Sequence, residues 1–134
     1  MNAFDILVQE HDVVRLVLDC LEVVIRRARQ AKDLDVDLAE KVVAFARGYV
    51  DSCHHAKEEN YLFPLLCDRA QDQMAEPISC MLREHEMGRR HVRAMVDKLD
   101  VTNDGVHDTR EYFCLEAGAY IALLRSHIQK ENIY

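Results

Sequence analysis

Histidine and glutamate recur in this chain at the spacing of one helical turn, and these two residue types can bind metal ions together. His55 and Glu59 stand four residues apart, and the same spacing returns at His127 and Glu131. Residues four apart lie on the same face of a helix, so each pair presents an imidazole and a carboxylate in one direction. Each pair can therefore supply two ligands to one metal ion.

Two further histidines, His11 and His85, have matching neighbours, because each follows a glutamate and precedes an acidic residue. The order along the chain is thus His, His-x3-Glu, His, His-x3-Glu. The separation is 44 residues from His11 to His55 and 42 residues from His85 to His127. Such a repeat predicts a duplicated helical hairpin. Four imidazoles and two carboxylates that converge form a ligand set for a pair of metal ions.

A rival pair, His54 and Glu58, has the same four-residue spacing. We expect it to point away from the core, because the apolar seam that we assign to this helix runs through His55 and an adjacent residue is turned by about 100°. His55 and Glu59 also align with the second copy through a shared Glu-Asn dipeptide. His54 is therefore predicted to face solvent, and the same is expected of His91 and His107.

Long helices must position these residues, since the 134-residue chain has 49% hydrophobic residues but only four glycines and two prolines. Apolar residues at steps of three and four predict four helices, at about residues 3–31, 37–70, 76–100 and 107–134. Asp35 or Asp37 can cap the second helix. Residues 71–77 are predicted to connect the second and third helices, and residues 100–107 to form a turn.

Charge and cysteine usage limit the functional classes. A formal net charge of −7 argues against a nucleic-acid partner, because phosphate binding needs clustered Lys and Arg. No run of 18 apolar residues exists, so no membrane span is predicted. The five cysteines form no Cys-x-x-Cys pair, which favours a reducing compartment. We expect a cytoplasmic protein.

The segment His55-Ala-Lys-Glu-Glu59-Asn-Tyr-Leu-Phe-Pro64, its copy at His127–Glu131 and the order of the four histidines resemble the hemerythrin-like (HHE, cation-binding) family. The resemblance extends over the whole chain. It implies a single all-α domain over residues 1–134, an up-down-up-down antiparallel four-helix bundle with an internal two-hairpin pseudo-repeat.

The resemblance also implies a non-haem di-iron centre, with two Fe ions joined by an oxo or hydroxo bridge. The same mixed donor set accepts Mn or Zn. The metal ligands that it implies, with the two glutamates as bridges, are His11, His55, Glu59, His85, His127 and Glu131.

The function implied by the resemblance is binding, and in an enzyme reduction, of O2, NO or H2O2 in oxidative or nitrosative stress or in iron homeostasis. The expected partner is a small diatomic or peroxide ligand, and the expected state is a monomer or homodimer. The alternative is a module that binds O2 reversibly, or senses iron or oxygen, without turnover. The oxygen carriers of the family have His-x3-His on the third helix, whereas Arg89 follows His85 by four residues here, which argues against a dedicated carrier.

A bundle without metal is a third interpretation, and it is disfavoured because so many ionisable groups at seam positions are hard to satisfy without a cation. Near the proposed centre, Tyr120 is expected in the next layer, either as packing or as a hydrogen-bond donor to a bound oxygen species. Arg15 and Arg89 are expected to be surface or ion-pair residues.

Overall fold

The chain is almost entirely helical in the computed structural model, which describes residues 3–70, 72–102 and 107–133. No strand occurs in these ranges, which confirms the all-α fold class. Between α2 and α3 the backbone follows two π-helical segments, π1 (Ala46–His55) and π2 (Glu58–Leu62). The α-helices are α1 (Ala3–Ala31), α2 (Val36–Phe45), α3 (Phe63–Ala70), α4 (Asp72–Thr102) and α5 (His107–Ile133).

The turn between α1 and α2 is defined by local chemistry. Lys32, directly after α1, adopts a left-handed backbone with φ of 53°, the conformation that commonly ends a helix. Asp35 caps α2, because its side chain accepts a hydrogen bond from the Leu38 N–H at 3.1 Å. The predicted cap at Asp35 is therefore confirmed.

Helix α4 begins earlier than the sequence predicted. It starts at Asp72 and contains Pro77, so most of the predicted connection over residues 71–77 is helical. The residues before the proline, Gln, Met, Ala and Glu, are good helix formers, and they extend the helix by one turn. The predicted turn over residues 100–107 is shorter than expected, because residues 100–102 belong to α4 and residue 107 begins α5. Residues 103–106 lie outside the described part of the chain.

Helices α1 and α4 each pack against both α2 and α5. Arg29 near the end of α1 meets Glu111 near the start of α5 at 2.9 Å. At the other end of these two helices, His11 meets Asn132 at 3.0 Å. The main core between the helices is formed by large buried side chains that include Leu18, Leu21, Met95, Phe113 and Leu124.

A second, smaller apolar cluster contains Phe63, Ile78 and Met81. The Phe63 ring lies 5.7 Å from the His85 ring, measured between centroids, so this cluster borders the buried histidines. Among the described helices, none combines the length and the apolar character that crossing a membrane requires.

Candidate metal centre

The inner face of α2 and π1 carries buried residues at steps of mostly four. In an α-helix four residues turn through about 400°, so successive steps of four drift by about 40° each. A π-helix has a wider turn and absorbs this drift. The Ala56 N–H donates to the Asp51 carbonyl, and the Phe63 N–H donates to the Glu58 carbonyl, both five residues earlier. The residues at these steps are Ala39, Val43, Ala46, Val50, His54 and, in π2, Glu58. His55, beside His54, is also buried.

The predicted seam of this helix was therefore one residue out of phase, except at His55, which is buried as predicted. Phe45, predicted to face the core, is 48% exposed. His54, predicted to face solvent, is only 1% exposed, and so is Glu58. The Glu59 side chain is 26% exposed. The expectation that Glu59 faces the core and that His54 and Glu58 point away is wrong, because the π-helical turn changes the phase of this segment.

One set of potential metal ligands consists of His55, Glu58, His85 and His127, all buried. One nitrogen or oxygen atom from each residue lies within 4.8 Å of those of the other three. The Nε2 atom of His85 is 3.3 Å from Oε1 of Glu58 and 3.1 Å from Nε2 of His127. Three imidazoles and one carboxylate thus converge on one point.

A second set consists of His11, His54, Glu58 and Glu131, again with one atom each within 4.8 Å of one another. Nε2 of His54 is 3.6 Å from Oε1 of Glu58, and Nε2 of His11 is 3.5 Å from Oε1 of Glu131. Glu58 belongs to both sets. Oε1 of Glu131 also lies 3.1 Å from Nε2 of His127, so both carboxylates stand between the two groups of imidazoles.

Several side-chain atoms that point into these sets lack hydrogen-bond partners among the described residues. Buried polar atoms are almost always paired, and an unpaired buried carboxylate is costly. A cation between the rings would satisfy all of these atoms at once, so the donor set fits a metal. The unpartnered buried atoms of the two sets are His11 Nε2, His54 Nε2, Glu58 Oε1, Glu131 Oε1 and Glu131 Oε2.

The outer nitrogen of His54 is held by a carboxylate and a lysine. Its Nδ1 lies 3.1 Å from Oε1 of Glu10, and Lys57 donates to Oε2 of Glu10 at 2.7 Å. Although burial raises the pKa of Glu10, hydrogen bonds from Lys57 and His54 lower it overall. An ionised Glu10 fixes the His54 proton on Nδ1 and leaves Nε2 free to bind a metal.

His127 has the same surroundings. Its Nδ1 lies 3.1 Å from Oε1 of Glu84, and Lys130 donates to Oε2 of Glu84 at 2.9 Å. The pKa of Glu84 is also lowered overall, since the hydrogen bonds from Lys130 and His127 outweigh the effect of burial. Two Lys-Glu-His chains therefore approach the centre in the same way.

The other three rings also have polar partners at Nδ1. Oε2 of Glu59 lies 2.8 Å from Nδ1 of His85, and Asn132 Oδ1 lies 3.0 Å from Nδ1 of His11. Asp51 lies 3.7 Å from Nδ1 of His55. Arg89 donates to both Asp51 and Glu59. It is therefore an ion-pair residue that connects the polar partners of His55 and His85.

Burial favours the neutral form of four of the imidazoles. It lowers the pKa of His54 to about 4 and also lowers the pKa values of His55, His85 and His127. Neutral imidazole is the form that binds metals. Burial raises the pKa of Glu131, which reflects the cost of a carboxylate charge there without a cation.

An apolar cavity of about 50 Å³ touches the second set. Apart from His11, Glu58 and Glu131, its walls come from aliphatic and aromatic residues, including Leu7, Leu62, Phe63 and Met81. A cavity of this kind admits small uncharged molecules and disfavours ions.

Of the six predicted ligands, the structure brings five together, namely His11, His55, His85, His127 and Glu131. It places Glu59 outside both sets and adds His54 and Glu58, which the sequence analysis had rejected. The cue that identifies them is the Lys-Glu dipeptide, since His54-x2-Lys57-Glu58 matches His127-x2-Lys130-Glu131. His55 is thus an additional, fifth imidazole.

Two polar residues outside the candidate centre, His91 and Arg15, also form ion pairs. His91, predicted to face solvent, is half-buried and lies 2.7 Å from Glu116. Arg15 forms an exposed ion pair with Asp12, as expected. The side chain of His107 lies outside the described residues.

The sequence profile of the Hemerythrin HHE cation binding domain matches residues 2–134 of this chain. No curated protein and no solved structure matches it.

Proposed function

The chain belongs to the hemerythrin HHE cation-binding domain family, and we propose that it holds two iron ions with which it binds and reduces small oxidants. The observation that carries the proposal is the pair of His/Glu sets that share Glu58 and contain buried, unpartnered donor atoms. Imidazole and carboxylate together suit iron, and they also accept manganese or zinc.

We propose that His55, His85 and His127 bind one ion and that His11 and His54 bind the other. Glu58 and Glu131 would bridge them, because both carboxylates stand between the two groups of rings. Glu59 is reassigned from ligand to partner of His85.

We propose an up-down-up-down antiparallel four-helix bundle for this single domain, with the chain from α2 to α3 as its second helix. Contacts at both ends of α1 support it, since its start meets the end of α5 and its end meets the start of α5. An internal repeat of two hairpins is supported by the matching Lys-Glu-His chains at His54 and His127.

The chemistry that such a centre supplies when loaded is the transfer of two electrons to O2 or peroxide, or the binding of NO. The protein contributes buried imidazoles with polar partners at their outer nitrogens, and an apolar cavity that limits water beside His11 and Glu131. We propose O2, NO or H2O2 as reactants in a cytoplasmic monomer or homodimer that responds to oxidative or nitrosative stress.

Reversible O2 binding is a second candidate that one observation favours. The sequence argument against it was the missing histidine at position 89, but His55 supplies a fifth buried imidazole from π1 instead. The number of imidazoles therefore no longer argues against a carrier or a sensor.

The test is iron content per chain together with the visible spectrum of the reduced protein, recorded during addition of O2 and then of H2O2. Two irons with rapid loss of peroxide support the enzyme. Two irons with a stable, reversible oxygen adduct support the carrier. Protein that takes up neither iron nor manganese under reducing conditions contradicts the proposal.

A further inference from the structure

A second cavity, of about 180 Å³, opens beside the His55 side of the metal centre, and most of the residues that line it are polar or charged. The apolar cavity, in contrast, reaches the centre at His11, Glu58 and Glu131. The centre is therefore approached through two cavities of different chemical character. The residues that define the polar cavity are Arg47, Asp51, His55, Arg89, Arg93 and Tyr120.

Tyr120 offers this cavity an unused hydrogen-bond donor. The residue is only 2% exposed and lines the cavity, yet its hydroxyl has no hydrogen-bond partner within the described ranges. Burial and the nearby charge of Asp51 raise the pKa of Tyr120, so the hydroxyl keeps its proton at neutral pH. Since no described protein group accepts from this hydroxyl, a molecule in the cavity could accept its hydrogen bond.

Three arginines and one acidic residue, Asp51, are among the described residues that line this cavity. The charge of Arg89 is already balanced, because Arg89 donates to Asp51 at 2.8 Å and also to Glu59. Arg93 meets Glu86 at 3.4 Å. Across residues 3–70, 72–102 and 107–133, Arg47 has no carboxylate within ion-pair distance. Arg47 therefore brings to this cavity a positive charge that no described carboxylate balances, which favours a negatively charged occupant.

We propose that this cavity binds a small inorganic oxyanion of the size of nitrite, with the Tyr120 hydroxyl donating to it and Arg47 balancing its charge. The volume accommodates such an anion with a few waters. Since His55 forms the inner wall, the anion lies next to the metal centre. The inference extends the proposed function, because it adds a charged ligand to the uncharged reactants that suit the apolar cavity.

The experiment measures nitrite binding by calorimetry and by stopped-flow mixing, with nitric oxide as the uncharged comparison ligand. Tyr120→Phe removes the donor with little change in volume, and Arg47→Gln removes the unpaired charge. Their matched controls are Tyr112→Phe, whose ring is half-exposed, and Arg90→Gln, on the exposed face of α4.

We expect Tyr120→Phe to raise the Kd for nitrite roughly tenfold, since a hydrogen bond to a charged acceptor is lost. Arg47→Gln should slow nitrite association roughly three- to tenfold and reduce its dependence on salt. Both controls should bind nitrite as the unchanged protein does, and nitric oxide binding should stay the same in all four variants.

Unchanged nitrite affinity in Tyr120→Phe and Arg47→Gln would overturn the inference. Equal weakening of nitrite and nitric oxide would also overturn it, because both variants would then act through the metal centre. The cavity is built from protein groups, so the titration is carried out on both iron-loaded and metal-free protein. Failure to bind iron thus contradicts the proposed function alone, whereas nitrite binding that is independent of Tyr120 contradicts the anion cavity alone.

Discussion

Glu58 and Glu59 contact opposite edges of the same imidazole, that of His85. Oε1 of Glu58 lies 3.3 Å from Nε2 and Oε2 of Glu59 lies 2.8 Å from Nδ1. Glu58 is buried between the two groups of histidines, whereas Glu59 is partly exposed and also contacts Arg89. The two adjacent glutamates therefore have different roles, one within the candidate centre and one outside it.

The first prediction separates these roles by substitution. Glu58→Ala removes a carboxylate common to both ligand sets, so we expect it to lose most of both ions. Glu59→Ala should still bind two ions, with affinity reduced by about tenfold, because it loses only an orienting partner of His85. Iron content by mass spectrometry, with circular dichroism to verify helicity, measures the difference. Full iron content in Glu58→Ala and none in Glu59→Ala would restore the original assignment of Glu59 as ligand.

The second prediction concerns the two lysines that hold Glu10 and Glu84. Lys57→Met and Lys130→Met should each weaken iron binding by roughly three- to tenfold. Each substitution leaves the carboxylate that orients a histidine without its lysine partner. The two effects should be similar, because the lysines are equivalently placed. Competition with a chelator measures affinity, and Lys41→Met on the exposed side of α2 is the control. Affinity unchanged in both variants, or equally reduced in the control, would rule out this role.

The third prediction is the pH dependence of the metal-free protein. Burial lowers the pKa of His54 from 6.5 to about 4, so between these values the unfolded chain binds more protons than the folded one. The free energy of unfolding must then fall as the pH decreases through this window. As the pH falls from about 7.5 to about 5, the protonation of His54 alone should lower the free energy of unfolding by roughly 2 kcal/mol. The lowered pKa values of His85 and His127 act in the same direction.

Urea unfolding of the metal-free protein at several pH values measures this effect, and His54→Gln should flatten the profile. Iron loading should reduce the fall in the free energy of unfolding at moderately acidic pH, since bound metal opposes protonation of its ligands. A urea midpoint that rises towards pH 5, with roughly constant slope, would contradict the sign of the prediction.

The fourth prediction concerns the main core. Leu18 is completely buried, whereas Leu16 on the same helix is 63% exposed. Leu18→Ala should lower the free energy of unfolding by about 3 kcal/mol, because it removes buried methyl groups and leaves a cavity. Leu16→Ala should change it by about 0.5 kcal/mol or less. Chemical denaturation of the metal-free variants compares them, and equal losses would contradict the assignment of Leu18 to the core.

Much of the fold and of the candidate site was accessible from the sequence. Helical periodicity and the scarcity of glycine and proline predicted an all-helical chain, and the histidine order predicted five residues of the two sets. The phase of the second helix was missed because α-helical periodicity assumes about 3.6 residues per turn. The steps of four from Ala46 to Glu58 were the available sign of a wider turn.

Other features depended on tertiary contacts that no local pattern encodes. Lys57 and Glu10 are 47 positions apart, and only the packing of α1 against the second helix brings them together. The early start of α4 followed from helix-forming residues before Pro77, which the sequence analysis treated as a boundary.

The pairing of His11 with Glu131 joins the first and last helices across 120 positions of chain. A cation bound there would hold the first and last helices together, much as a covalent cross-link joins two distant positions of a chain. Helix ends otherwise fray, so the amide hydrogens in the last turn of α5 should exchange with deuterated solvent far more slowly once the ion is present. Resistance to proteolysis at the start of α1 and at the end of α5 would then report the loading state of the protein.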